Sequence, residues 1–213
     1  DPSTWPRQWP RSIGPAGSTV KGKTVSSDTA VAGLDDRTPR SRAMPWRAPG
    51  RTRSSTGARG PRVALLGNAL PRRCGIATFT TDLHAAISAR LSPGDAMIVA
   101  MDDPGSSHDY PPSVAFAIPD QDAASYRAAA SRLDTMGLDA VGLQHEFGIF
   151  GGQAGSHVLE FVERLRTPLI TTLHTVLSRP DPAQHAVLVG LAGASRRLVV
   201  MSERGRRMLG EVY

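Results

Sequence analysis

From Arg62 onward the sequence alternates short apolar runs with longer segments of helical period, and this alternation restricts the possible folds more than any other feature. The runs have the length of strands and read RVALLG, AMIVAMD, SVAFAIP, DAVGLQHE, PLITTLHT and RRLVVMS. Strands that are apolar throughout are buried on both faces, and helices between strands indicate parallel crossovers. The sequence therefore predicts an α/β fold with a doubly wound, mostly parallel sheet over residues 61–213.

Two of the helical segments show an apolar face or a start signal. In the first, Gly75 stands where the helix begins, and four apolar residues fall on one helical face: Ile76, Phe79, Leu83 and Ile87. Ser156 is a plausible N-cap for the helix that follows the fourth run. The connection between AMIVAMD and SVAFAIP, DDPGSSHDYPP, has no helical period and predicts a link without a helix. The arrangement is Rossmann-like.

The segment DPAQHAVLVGLAGAS carries the clearest helix start of the chain. Asp181 is in the cap position, Pro182 follows at the first helical position, and Gln184 comes three residues after the cap. This spacing predicts a capping box, in which the two side chains each bond the backbone of the other residue.

Residues 1–60 differ in composition from the rest of the chain. They are rich in Pro, Gly, Ser, Thr and Arg, contain all three tryptophans, and hold 11 Lys and Arg against 4 Asp and Glu. Such a segment cannot bury enough apolar surface to offset its ordering entropy, so we expect a disordered basic tail. The rest has 14 basic and 15 acidic residues, so the net charge of +6 belongs to the tail.

Several classes of protein fit the sequence poorly. No recognition module accompanies the basic tail, so no specific nucleic-acid partner is expected, although binding through the tail is an alternative. The chain has one cysteine, Cys74, and no HExxH, so it predicts neither a disulfide framework nor a metal site. It also lacks the GxSxG of hydrolases and the glycine fingerprint of NAD-dependent dehydrogenases.

The sequence predicts no transmembrane segment and no secretion signal. No apolar run approaches the ~20 residues needed to span a bilayer. The first residues, DPSTWPRQWPRS, have no apolar core of the signal-peptide kind. We therefore expect a cytoplasmic protein.

Candidate site residues follow the first, fourth and fifth runs, because ligands of open parallel sheets bind beyond the carboxyl ends of the strands. At the start of the first helix, Gly75 would allow an anionic group to approach the free N–H groups. The alternative is a tight strand-to-helix turn. The fifth run ends on His174, which is either a ligand-facing or a hydrogen-bonded structural histidine.

The fourth run ends on a cluster of polar residues followed by glycines. The polar residues are Gln144, His145 and Glu146, and the glycines are Gly148, Gly151 and Gly152. Polar side chains at the rim of a sheet can face a ligand, and glycines beside them leave room for a sugar or a moving loop. Alternatively, the polar groups satisfy the backbone at a crowded turn.

Four segments together resemble the N-terminal half of a GT-B glycosyltransferase of the retaining, family-4 bacterial type. They are PRRCGIATFTTDL, QHEFGIFGGQAGS, TTLHTVLSRPDPAQ and RRLVVMSERGRRMLGEVY. The resemblance covers residues 61–213 and none of the first sixty. It implies a Rossmann-like acceptor-side domain whose cleft is completed by a second, donor-binding domain that this sequence lacks.

The resemblance also implies roles for the candidate residues. His174 would be the catalytic-site histidine beside the transferred sugar, and Gly75 would approach the donor phosphates. Gln144, His145, Glu146 and the Gly148–Gly152 loop would line the acceptor side. The partners would be a nucleotide sugar, as a co-substrate, and a carbohydrate or small-molecule acceptor, with no cofactor and no metal. Without the second domain we expect the chain to be inactive, and a non-catalytic sugar- or nucleotide-binding module is the alternative.

Overall fold

A computed structural model describes residues 59–106 and 108–213, in which six strands form one sheet. The strands are β1 (Val63–Gly67), β2 (Ala96–Asp102), β3 (Val114–Pro119), β4 (Ala140–His145), β5 (Leu169–Leu173) and β6 (Arg197–Val200). Their order is β3-β2-β1-β4-β5-β6, and every neighbouring pair is parallel. The predicted doubly wound α/β fold is confirmed, whereas the tail predicted over residues 1–60 lies, up to residue 58, outside the described residues.

Five α-helices accompany the sheet in this part of the chain. They are α1 (Gly75–Ser88), α2 (Ala123–Thr135), α3 (His157–Arg164), α4 (Pro182–Ala194) and α5 (Glu203–Val212). No described residue between β2 and β3 is helical, as the sequence predicts. None of the helices in residues 59–106 and 108–213 combines the length and apolar character needed to cross a bilayer.

The two faces of the sheet are covered unequally. Helices α2, α3 and α4 pack side by side over one face, where the main core forms. Leu66 and Leu143 from the strands meet Tyr126 and Phe161 from the helices in that core, and all four side chains are fully buried. Burial of this kind is the dominant favourable term in folding. Helix α1 packs on the other face, against β1 and β2.

On the face of α1, the sheet beyond β4 is uncovered among the described residues. Successive side chains of a strand point to opposite faces. Gln144 is therefore on the α1 face together with Thr172 and Val199, which are its partners in register on β5 and β6. Val199 is 44% exposed and Ile170, on the same face, is 38% exposed. This open part of the sheet includes β5 and therefore extends to the end of that strand, where His174 follows.

The start of α4 confirms the predicted capping box. The Asp181 carboxylate accepts from Gln184 N at 2.8 Å, and the Gln184 side chain accepts from Asp181 N at 2.9 Å. Ser156 precedes α3 as predicted, but its side chain makes no capping hydrogen bond. Ser156 therefore occupies the predicted N-cap position without acting through its hydroxyl.

The predicted apolar face of α1 is shifted in the structure. The buried residues of the helix are Ala77 and Thr80, while Phe79 is 36% exposed. The reason is the close approach of α1 to β1: a Cβ added to Gly67 would lie 3.1 Å from Thr80 Oγ1. Only small side chains fit between the two elements, so Phe79 is displaced toward the carboxyl edge of the sheet.

Candidate functional site

The carboxyl edge of the sheet contains a topological switch point between β1 and β4. From β1 the chain proceeds to β2 and β3 on one side, and then crosses to β4 and β5 on the other. In open α/β sheets the crevice outside the strand ends at such a point is the common ligand site. Gly67 ends β1 there, and Gln144 and His145 end β4.

His174 follows β5 directly and is held by three contacts. Its Nε2 lies 3.1 Å from Gln144 Oε1, and its backbone N–H donates to His145 O at 3.0 Å. The Phe79 ring meets the imidazole edge to face, with ring centroids 4.7 Å apart. Partial burial lowers the pKa of His174 below its ordinary value, and the nearby Glu146 carboxylate opposes this shift. The net shift favours the neutral form of the imidazole.

A cavity of about 350 Å³ opens beside His174, between the ends of β5 and β6 and the start of α5. Its lining combines polar and apolar side chains, namely Leu173, His174, Thr175, Val176, Val200, Met201, Ser202, Arg204 and Met208, together with Gly205. The volume is within the range of small-ligand sites. Ser202 accepts from Gly205 N at 3.0 Å and so caps α5, whose N-terminal N–H groups carry partial positive charge. The cavity can accommodate a polar group of the size of one sugar ring.

Glu146 joins the ends of β4 and β5. Its Oε1 accepts from the N–H of Phe147 at 3.0 Å, and its Oε2 accepts from the Thr175 hydroxyl at 2.5 Å. Thr175 also lines the cavity. Both carboxylate oxygens are thus engaged within the protein, and Glu146 positions one wall of the cavity.

His145 lies inside the protein and is not among the residues that line the cavity. It is 0% exposed, with the Phe147 ring edge to face at 4.9 Å and the Phe150 ring stacked at 5.9 Å. Neither ring nitrogen has a hydrogen-bond partner among the described residues. Burial, with a smaller contribution from His174, lowers the pKa of His145 to about 3. Because His145 and Gln144 are adjacent in a strand, their side chains point to opposite faces.

The glycines after β4 have different surroundings. A Cβ at Gly151 would lie 1.9 Å from the backbone oxygen of Asp120, so this glycine is needed for packing. Gly152 has a φ of +78°, which L side chains rarely adopt. Gly148 is exposed and open, with no atom within 4 Å of an added Cβ. Only Gly148 of the three has free space where a side chain would be.

Gly75 begins α1 and also faces open space. A Cβ there would meet no described atom within 4 Å, so a ligand group could approach the first turn of the helix. The helix is capped by Cys74, whose Sγ accepts from Ala77 N at 3.3 Å. Phe79, about one turn farther along, contacts His174. Gly75 and His174 therefore belong to the same edge of the sheet.

The structure adds three residues to the predicted set: Phe79, Thr175 and Arg204. Phe79 contacts His174, and the other two line the cavity. Ligands of open parallel sheets bind beyond the carboxyl ends of the strands, and this expectation applies to Thr175 as it does to His174, which directly precedes it. Arg204 follows the sixth strand by the same rule. For Phe79 the sequence contains no such signal, because its spacing is that of a core position.

No group of three or more His, Cys, Asp and Glu side chains within residues 59–106 and 108–213 is arranged to hold a metal ion. Three of the histidines placed there are engaged elsewhere: His84 bonds Ala96 O at 3.2 Å, His157 lies 3.3 Å from Asp120 O, and His185 lies 3.2 Å from Val212 O. The polar side chains that line the cavity are those of His174, Thr175, Ser202 and Arg204.

Fold and site together define an α/β protein with a polar cavity at the carboxyl edge of a parallel sheet. No family model and no curated protein matches the chain. A search of solved structures finds similarity to the "Glycotransferase of kitacinnamycin", with 20% identity and a TM-score of 0.32. The alignment covers 82% of this chain and 38% of that one. Similarity at this level does not bear on activity.

Proposed function

We propose that the chain is the acceptor-side domain of a glycosyltransferase that uses a nucleotide sugar. The observation that carries the proposal is the partly buried His174, which follows β5 beside the 350 Å³ cavity. Sugar hydroxyls need donors and acceptors at close range, and an imidazole, hydroxyls and an arginine supply both. The four sequence segments that resemble the GT-B family support the same proposal.

In the proposed reaction the bond between the anomeric carbon and the phosphate oxygen breaks. A bond to an acceptor hydroxyl forms, the hydroxyl proton is released, and a nucleoside diphosphate leaves. His174 contacts the transferred sugar, and the free N–H groups at the start of α1, beside Gly75, approach the donor phosphates. Retention of configuration and a cytoplasmic location complete the proposal; the first rests on the resemblance and the second on the composition.

A second, donor-binding domain supplies most of the groups that stabilise the leaving diphosphate in this proposal. We therefore expect the 213-residue chain to bind a nucleotide sugar weakly and to transfer it at no appreciable rate. Robust turnover by this chain alone would contradict that part of the proposal.

Ligand-observed NMR on the 213-residue chain tests the binding, with a panel of uridine, guanosine and adenosine diphosphate sugars. We expect saturation transfer to the sugar protons of at least one compound, and loss of that signal in His174→Ala. His185→Ala is the matched control, because His185 is an exposed histidine of α4 outside the cavity. Absence of any sugar contact across the panel, or equal loss in both variants, would refute the proposed site.

A further inference from the structure

Gln144 is a buried side chain fixed in one place at the switch point. It is the second-to-last residue of β4 and is 1% exposed. It packs over Gly67: a Cβ at position 67 would lie 3.0 Å from Gln144 Cβ and 3.1 Å from Thr80 Oγ1. The absence of a side chain at Gly67 therefore creates the space in which Cβ and Cγ of Gln144 pack, while the carboxamide reaches His174.

The contact between Gln144 and His174 has a defined polarity. The Gln144 Oε1 faces His174 Nε2 at 3.1 Å. A carboxamide oxygen can only accept, so the Nε2 must carry the proton of the neutral ring. A neutral imidazole has a single N–H, and Nδ1 is then an acceptor. Nδ1 has no hydrogen-bond partner within residues 59–106 and 108–213.

The other polar groups near His174 do not compete for its ring. Both oxygens of Glu146 are occupied by Phe147 N and by the Thr175 hydroxyl. His145 meets His174 through its backbone oxygen, which accepts from the His174 backbone N–H. Arg204 also lines the cavity but, among the described residues, makes no hydrogen bond to the His174 ring, whose bond is to Gln144. Gln144 is therefore the side chain that decides which nitrogen of His174 is protonated.

We infer that Gln144 is a positioning residue that fixes the Nε2–H tautomer of His174 and so leaves Nδ1 as the hydrogen-bond acceptor of a ring that lines the cavity. An unprotonated nitrogen accepts from a hydroxyl and repels an anion, so a ligand group that meets Nδ1 of His174 is a neutral donor such as a hydroxyl. The phosphate groups of a ligand are then expected at other donors, namely Arg204 or the N–H groups of α1 or α5. The identity of the ligand as a sugar rests on the proposed function, whereas the tautomer does not.

Long-range proton–nitrogen NMR spectra of the ¹⁵N-labelled 213-residue chain test the tautomer directly. The His174 signals are assigned from a His174→Ala spectrum, at a pH well above the histidine titration. We expect Nε2 to show the shift of a protonated ring nitrogen and Nδ1 that of an unprotonated one. The opposite pattern, or an averaged shift on both nitrogens, would overturn the inference.

Two variants separate the hydrogen bond from packing. Gln144→Met keeps similar volume but removes the acceptor, so the two His174 nitrogens should move toward averaged shifts. Gln144→Glu keeps the acceptor and adds a negative charge, so the Nε2–H tautomer should persist and the pKa of His174 should rise by about 1 to 3. Gln153→Glu, at an exposed position outside the cavity, is the control and should change neither quantity.

If Gln144→Met fails to fold, the positioning role of Gln144 is still tested by the tautomer of the wild type and by the titration of His174 in Gln144→Glu. An unchanged tautomer in a folded Gln144→Met, or an unchanged pKa in Gln144→Glu, would overturn the positioning role.

Measurements of ligand affinity distinguish this inference from the proposed function. For a nucleotide sugar that binds the chain, Gln144→Met should weaken the affinity by about 2- to 10-fold, the range for one hydrogen bond. The affinity for the corresponding free nucleoside diphosphate should stay the same. Equal weakening of both ligands would overturn the hydroxyl assignment. If no nucleotide sugar binds at all, the proposed function fails while the tautomer measurement still supports the positioning role.

Discussion

The Phe79 ring meets the His174 imidazole edge to face, with the ring centroids 4.7 Å apart and the ring planes at 87°. This contact joins α1, on one side of the switch point, to the end of β5 on the other. Edge-to-face pairs are favourable because the positive ring edge faces the negative ring face. A half-exposed aromatic residue of α1 therefore restricts the orientation of the histidine beside the cavity.

Replacement of Phe79 by alanine should disturb His174 more than it disturbs the fold. A double-mutant cycle of Phe79→Ala and His174→Ala, measured by denaturant unfolding, should give a coupling free energy of about 0.5–1.5 kcal/mol. The His174 ring protons should also lose their ring-current shift in Phe79→Ala. Val189→Ala is the control, since Val189 is similarly exposed, at 42%, on α4. If the effects of the two substitutions on the free energy of unfolding were additive, the ring contact would contribute nothing to stability.

Substitution by alanine should change the free energy of unfolding far more at Gly151 than at Gly148. In Gly151→Ala the new Cβ would overlap the Asp120 backbone oxygen, and backbone cannot move aside as a flexible side chain can. We expect a loss of about 2–3 kcal/mol of unfolding free energy, as for other overpacked sites. Gly148→Ala meets open space and should stay within about 0.5 kcal/mol of the wild type. Urea unfolding of both variants is the measurement, and equal stability would contradict the packing role of Gly151.

The sheet and the start of α4 could be predicted from the sequence because their signals are local. Apolar runs bounded by polar residues define the six strands, and Asp181 with Gln184 defines the capping box. The faces of the strands could not be predicted. A strand that is apolar throughout has no alternation, so nothing in the sequence shows that Gln144 points to the α1 face and His145 into the main core.

The orientation of α1 also could not be predicted from helical spacing. The four apolar residues of the helix suggest a core face that includes Phe79, but the fully buried side chains of the helix are Ala77 and Thr80. The small size of these residues matters only because Gly67 and Gln144 bring β1, β4 and α1 close together. The close packing of β1, β4 and α1 depends on three segments that are far apart in the chain. No one of these segments indicates it by its own sequence.

Removal of the Tyr126 hydroxyl should destabilise the loop after β4. The hydroxyl donates to Asp120 O at 2.8 Å and accepts from Gly151 N at 3.0 Å, and the side chain is fully buried. Tyr126→Phe leaves both backbone groups without this partner in a buried setting. We expect a loss of about 1–3 kcal/mol of unfolding free energy. Faster hydrogen exchange of the Gly151 amide should accompany it, and unchanged protection of that amide would contradict the bridging role.

Buried His145 should make the protein less stable as the pH falls below 6.5. Burial lowers the pKa of His145 to about 3, whereas in the unfolded chain it titrates near 6.5. Between these values the unfolded state binds more protons, so the free energy of unfolding decreases with falling pH, by up to about 1.4 kcal/mol per pH unit. His174, whose pKa is also lowered, acts in the same direction, and the Glu146 carboxylate opposes it.

The His145 contribution can be isolated by comparing slopes rather than absolute stabilities. His145→Phe keeps an aromatic ring between Phe147 and Phe150 but cannot be protonated, so its unfolding free energy should vary less steeply between pH 6.5 and 4. His84→Phe is the control, because His84 is a partly buried histidine of α1, bonded to Ala96 O and away from the cavity. Urea unfolding at a series of pH values gives the slopes. Equal slopes for the wild type and His145→Phe would mean that the His145 imidazole either is protonated in the folded state or reaches solvent.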